Sequence, residues 1–150
     1  AVSGSGTLAA TTTVTNANLT GPVTSTGNAT VISGQLSFVI DGQGSAITTG
    51  SHLIGSIPYD FTVTSNEVLA DQSGSIVVDI WVDTYANYPP TDADSITASA
   101  PPTLSTAIKS QDATLTGWTT TLSAGDSIYL NVDSITTVQK VTVTLKGTRT

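Results

Sequence analysis

The sequence predicts an all-β protein: an antiparallel, jelly-roll-like β-sandwich head that follows an extended N-terminal stalk or arm. From residue 35 onward, short apolar alternations are separated by Gly, Pro, Asp and Asn, which is typical of sandwiches and barrels. No window shows the period of an amphipathic helix. The first 40 residues carry no charged side chain at all.

The opening segment, residues 1–34, is predicted to be the stalk or a donated strand. It consists largely of Thr, Ser, Ala, Gly and Asn with isolated Val, Leu and Ile. Disordered tails carry many charges, whereas Thr and Val favour extended chain. We therefore expect this segment to pair with copies of itself and the head domain to span residues 35–150.

The first predicted strands of the head are residues 35–41 and 51–57. The turn-forming residues DGQG at 41–44 end the former, and Pro58 ends the latter because proline lacks a backbone donor. Residues 61–70 alternate apolar and polar side chains, as a half-buried strand should. The residues DQSG at 71–74 then predict a hairpin turn into a strand at 75–85.

The second half contains a long ordered loop and three more predicted strands. Four prolines in residues 88–102 favour a loop over a helix. The strands are expected at residues 113–115, 127–133 and 138–146, with turns at 124–126 and 134–137.

The strand at 75–85 has two distinct faces, because side chains alternate along a strand. One face is predicted to enter the core and carries Ile76, Val78, Ile80 and Val82. The other face could hold a functional site and carries Val77, Asp79, Trp81, Asp83 and Tyr85.

Composition excludes several classes of function. The net charge is -7, with only four Lys and Arg residues, so the clustered cations that nucleic acid requires are missing. No apolar run approaches the roughly 20 residues of a membrane-spanning helix. The chain has no Cys and no Met, so we expect neither a disulfide framework nor thiolate zinc ligands.

Aromatic residues and loop carboxylates are the candidate binding groups. Trp81 with Tyr85, Asp79 and Asp83 resembles a saccharide platform, since an indole stacks on sugar C–H faces and carboxylates accept hydrogen bonds from hydroxyls. Alternatively, Trp81 packs beneath the proline-rich loop or in a subunit interface. Trp118 could be an exposed anchor or could cap the core. The predicted ligand-binding residues are Trp81, Tyr85, Tyr88, Asp92, Asp94 and Trp118.

Catalysis is not expected, and no metal or cofactor is predicted. Asp79 and Asp83 are separated by roughly 13 Å along an extended strand, too far for a glycosidase pair. His52 is the sole histidine, and no nucleophile elbow is present. Asp92 and Asp94 lack the full ligand periodicity of a calcium loop.

Three sequence segments are distinctive: DQSGSIVVDIW at residues 71–81, DTYANYPPT at 83–91 and TLTGWTT at 114–120. With AGDSIYLNVDSITTVQKVTVTLKGT near the chain end and FVIDGQGSAITTG upstream, they resemble a module at the C-terminal ends of tailed-bacteriophage tail fibres and related virion proteins. The resemblance covers residues 38–148. The segment 16–32 is similar to the linker that precedes such tips.

This resemblance implies a β-sandwich head on a thin shaft built from three identical chains, located in the virion or outside the cell. We expect a receptor-binding tip, a homotrimer that adheres to a bacterial surface glycan or protein without nucleic-acid binding or membrane insertion. The alternative is a structural subunit, such as a head fibre or decoration protein, that polymerises through its N-terminal strand. A polysaccharide depolymerase is a third and less favoured hypothesis.

Overall fold

A computed structural model describes residues 23–26 and 29–150, and the all-β prediction is confirmed there. Most of the predicted stalk therefore lies outside the described residues. The strands are β1 (Val23–Thr26), β2 (Ala29–Asp41), β3 (Gly50–Ser56), β4 (Phe61–Asp83), β5 (Thr103–Asp112), β6 (Thr121–Leu122), β7 (Ser127–Thr136) and β8 (Lys140–Arg149). Strand β2 runs through the predicted boundary between residues 34 and 35.

The strands form one antiparallel, curled sheet in the order β1-β2-β8-β4-β7-β3, with β5 and β6 paired to β4 as well. A division into two packed layers stays a prediction. Strands β8 and β7 run end to end along β4, pairing with residues 61–70 and 75–83 respectively. Strand β2 pairs with β8, and β3 pairs with β7. Strand β4 thus joins the β2–β8 pair to the β7–β3 pair.

The core lies on the inner face of this curled sheet. The predicted core residues Ile76, Val78 and Ile80 of β4 are fully buried, whereas Val82 is partly exposed. They pack in one cluster with the alternating apolar residues of the neighbouring strands, which are Ile128, Leu130, Val132, Val141, Val143 and Leu145.

The hairpin predicted at residues 71–74 is wrong, because β4 continues without interruption through this stretch. Here β4 exchanges β8 for β7 as its partner. The Asp71 carboxylate accepts the N–H groups of Gln139, just before β8, and of Lys140, its first residue, at 3.2 and 3.0 Å. The hydrogen bond from Lys140 is the main cause that holds the pKa of Asp71 below its usual value. The polar residues that suggested a turn therefore lie where β4 changes its partner strand.

The strand predicted at residues 113–115 is also wrong. The strand lies earlier, at Thr103–Asp112, and residues 113–115 turn around the Asp112 carboxylate. That carboxylate accepts the N–H groups of Thr114 at 2.8 Å and Leu115 at 3.2 Å. Strand β5 pairs only with β4 among the described strands and buries little besides Leu104, so its apolar alternation is weak.

A pair of glycines shows how closely the strands approach. Gly34 of β2 and Gly147 of β8 are register partners. A Cβ on Gly147 would overlap the carbonyl oxygen of Thr62, whereas the nearest atom to a Cβ on Gly34 is a ring carbon of Phe61 at 3.4 Å. Backbone atoms cannot move aside as a side chain can.

We therefore expect Gly147→Ala to lower the free energy of unfolding by about 2 kcal/mol, the usual cost of overpacking. Gly34→Ala is the matched control and should cost clearly less. Urea denaturation of both variants measures the difference. Equal losses would contradict the close approach at Gly147.

Candidate functional site

Aromatic side chains gather on the outer face of the sheet where β4 and β7 pair. Trp81 and Tyr129 are direct register partners, so their side chains lie on the same face. Tyr88, from the loop after β4, meets Tyr129 edge to face, with ring centroids 5.9 Å apart. We call Trp81, Tyr88 and Tyr129, together with the exposed Tyr85 that lies three residues before Tyr88 in the chain, the aromatic face.

A hydrogen bond joins two tyrosines of the aromatic face. The hydroxyl of Tyr129 donates to that of Tyr88 at 2.9 Å. This hydrogen bond, aided by desolvation, raises the pKa of Tyr129, because it stabilises the protonated phenol. Tyr88 remains 49% exposed and Tyr85 is 81% exposed, so both rings can contact a ligand from solvent.

The carboxylate of Asp79 fixes the orientation of the Trp81 indole. Its carboxylate accepts the indole N–H of Trp81 at 2.8 Å and the Ser95 hydroxyl at 2.8 Å. It also accepts the Ile80 N–H at 2.7 Å and the Thr97 hydroxyl. Asp79 is only 7% exposed. Although it was predicted on the outer face with Trp81, Asp79 acts as a buried anchor.

The loop between β4 and β5 is held against the sheet by backbone bonds as well. Ile96 N–H donates to the Ile80 carbonyl at 2.9 Å, and Val78 N–H donates to the Pro102 carbonyl at 3.0 Å. Two short 3₁₀ turns, Tyr85–Asn87 and Asp92–Asp94, are its only helical parts. The prediction of an ordered loop rather than a long helix agrees with this geometry.

The predicted loop carboxylates differ in their surroundings. Asp94 accepts the Thr91 N–H at 2.8 Å and the Thr91 hydroxyl at 2.9 Å, so it stabilises its own turn. Asp92 is exposed at the start of the same turn. Asp83 accepts the Asn87 side-chain amide at 3.2 Å, beside Tyr85 and Tyr88 in the chain.

Trp118 does not belong to the exposed site. It is 9% exposed, is part of the hydrophobic core and donates its indole N–H to the Ala100 carbonyl at 2.9 Å. Of the two alternatives that the sequence left open, Trp118 therefore caps the core, and its ring is not available as an exposed anchor.

Tyr129 was not among the predicted site residues. The signal for it was present in the sequence, because the period of two along the predicted strand at 127–133 places Tyr129 on the face opposite the apolar Ile128 and Leu130. Polar residues follow Tyr129 on the same face of β7. The Asn131 side-chain amide donates to the Asp133 carboxylate at 2.6 Å, and its amide oxygen accepts the Ser51 hydroxyl at 3.2 Å. Amide and carboxylate groups thus flank the aromatic rings.

A depression in the described part of the chain lies away from the aromatic face. This depression of about 310 Å³ is lined by Glu67, Leu69, Lys109, Ser110 and Gln111. None of these lining residues is aromatic, whereas aromatic side chains are common in ligand sites. We therefore regard the aromatic face as the better candidate.

No group of three or more His, Asp or Glu side chains in the described residues is placed to hold a metal ion. Nor does that part of the chain contain a helix long and apolar enough to cross a membrane.

Comparison with family models, curated proteins and solved structures finds no match for this chain.

Proposed function

We propose that this chain is the receptor-binding tip of a phage tail fibre, which adheres to a bacterial surface glycan or protein without catalysis. The observation that carries the proposal is the aromatic face, where the half-exposed ring of Tyr88 packs edge to face on Tyr129, the register partner of Trp81. The resemblance of residues 38–148 to tail-fibre tips gives independent support.

The chemistry of the aromatic face suits a polymer on a cell surface. Aromatic rings stack on the C–H faces of sugars and on apolar side chains, while phenol hydroxyls, amides and carboxylates bind polar groups at the rim. The Tyr129–Tyr88 hydrogen bond and the Asp79–Trp81 hydrogen bond hold the rings before any ligand arrives. A preorganised surface loses less conformational entropy on binding.

The proposal includes a head of the sandwich type on an N-terminal stalk, three chains in a closed assembly, and a place in the virion. Three copies of the aromatic face on one tip would multiply weak contacts, since linked sites gain avidity of about a hundredfold or more. Strong binding by a single site is therefore not required.

We expect wild-type protein to bind at least one glycan on an array of bacterial surface polysaccharides, or the cells of at least one strain in a panel. Tyr88→Ala should then weaken binding to that same glycan or strain about tenfold, the effect of losing one interface tyrosine worth roughly 1.4 kcal/mol. Surface plasmon resonance or cell-binding titration measures the change.

Ile108→Ala is the matched control. Ile108 is 53% exposed on β5, outside the aromatic face, and its loss should leave binding unchanged. Equal losses for the two variants would exclude the aromatic face, and failure of the wild type to bind any glycan or strain would oppose the function itself.

A further inference from the structure

The outer edge of β2 is open along residues 33–41. Strand β1 pairs with β2 only from Ala29 to Ile32, whereas β8 pairs with it from Ile32 to Asp41. Within residues 23–26 and 29–150, no strand lies along the second edge of residues 33–41. An open edge presents N–H and C=O groups with which another strand can bond.

The direction of these backbone groups follows from one observed bond. Gly42 N–H donates to the Gln139 carbonyl, on the β8 side, at 2.7 Å. Because backbone groups alternate along a strand, the odd-numbered residues of β2 turn theirs toward the open edge. These residues are Ser33, Gln35, Ser37, Val39 and Asp41. The Gln35 carbonyl also accepts a long bond of 3.4 Å from the Tyr59 hydroxyl, so the freest part begins at Ser37.

This edge lacks the usual protections against strand addition. Its register with β8 contains no shift, and residues 33–41 include no Pro, Lys or Arg. By contrast, β3 has a bulge with Gly55 at φ 142°, and β5 has broken register and Lys109. Val39 leaves 57% of its surface exposed next to the open edge. The single charge, Asp41, is paired with Lys140 at 2.9 Å.

The preceding residues of the same chain are poorly suited to cover this edge. Continuing the register of β1 would bring Pro22 opposite Ser33, where a backbone donor is needed. Proline has no N–H, so it interrupts the ladder at its first step. A strand that completes the edge must therefore come from farther away.

Residues 7–15, TLAATTTVT, have the pattern that the edge requires. They are uncharged, and alternation places Leu8, Ala10 and Val14 on one side, together with Thr12. The other side carries four threonines and Ala9. On β2, Leu36 and Ile40 face the core while Ser37 faces outward. Apolar side chains of an added strand could thus extend the core, and its threonines could extend the polar outer face.

We propose that the open edge of β2 accepts residues 7–15 of a second copy of this chain as an added strand. This inference concerns assembly and does not depend on adhesion by the aromatic face. The contact is heterologous, with one copy donating and the next accepting, so copies form a ring if the rotation closes and a filament if it does not.

The test compares the mass of full-length chains by light scattering. Val39→Pro removes an N–H at the open edge and gives a copy that donates but does not accept. Leu8→Asp with Val14→Asp puts charges on the apolar side of the donor and gives a copy that accepts but does not donate. Val39→Thr keeps the N–H and is the control.

We expect wild type and Val39→Thr to assemble, and each interrupted variant alone to have the 15.2 kDa mass of one chain. Mixing the two interrupted variants should restore a complex of two chains, since one intact donor meets one intact acceptor. If Val39→Pro lacks the cooperative unfolding of the wild type, Val39→Lys replaces it as the acceptor variant.

Three results would overturn the proposal. A wild-type chain that stays monomeric has no such contact. Assembly of the Leu8→Asp, Val14→Asp variant alone would mean that two β2 edges pair directly. Absence of a complex on mixing, with wild type assembled, would assign the assembly to another surface. Glycan or cell binding by the wild type is scored separately and does not enter these results.

Discussion

Replacing Asp79 with alanine is expected to lower the free energy of unfolding by about 4 kcal/mol. The buried carboxylate accepts hydrogen bonds from Ile80, Trp81, Ser95 and Thr97. Removing it leaves these donors without their acceptor, and an unsatisfied buried polar group costs about 1–3 kcal/mol. Chemical denaturation followed by circular dichroism measures the loss.

Asp92→Ala is the control for Asp79→Ala, because Asp92 is exposed on the same loop. Its removal should change stability by less than about 0.5 kcal/mol. A small effect at Asp79, similar to that at Asp92, would show that the loop after β4 does not depend on the carboxylate.

Replacing Trp118 with alanine is expected to cost about 3–5 kcal/mol, the range for removing a large aromatic side chain from a core. The indole is 9% exposed and donates to the Ala100 carbonyl, so both packing and a hydrogen bond are lost. Trp118→Phe should cost less because most of the packing remains. Thermal and chemical unfolding of the two variants provide the measurement.

Tyr85→Ala serves as the matched aromatic control for Trp118, since Tyr85 is 81% exposed. It should leave stability nearly unchanged. If Trp118→Ala unfolded at the same denaturant concentration as Tyr85→Ala, the placement of Trp118 in the core would be contradicted.

The sequence predicted correctly those elements that depend only on residues close together in the chain. The period of two along β4 identified Ile76, Val78 and Ile80 as buried, and Ala124-Gly125 was recognised as a turn before β7. Those predictions required no knowledge of distant residues. Hydrophobic alternation and turn chemistry are therefore sufficient for such elements.

Other features depend on partners far away in sequence and could not be predicted. The DQSG residues at 71–74 carry the same signal whether a strand turns back or changes partner; the backbone of Gln139 and Lys140 decides the outcome. Likewise, Asp79 is buried because Ser95 and Thr97 supply donors. Trp81, Tyr85 and Tyr88 of the candidate site were predicted from the sequence. The place of Tyr129 beside Trp81 became known only from the register of β7 with β4.

The pairing of β2 with β8 has a consequence for the order of folding. Ile32 lies opposite Arg149, so a strand near the start of the described chain is completed by the strand at its end. During synthesis, β2 leaves the ribosome long before β8 exists. Closing so long a loop is slow. The sheet therefore forms its β2–β8 ladder only after β8 has been synthesised, and until then residues 33–41 of β2 are exposed on both edges to chaperones and to neighbouring nascent chains.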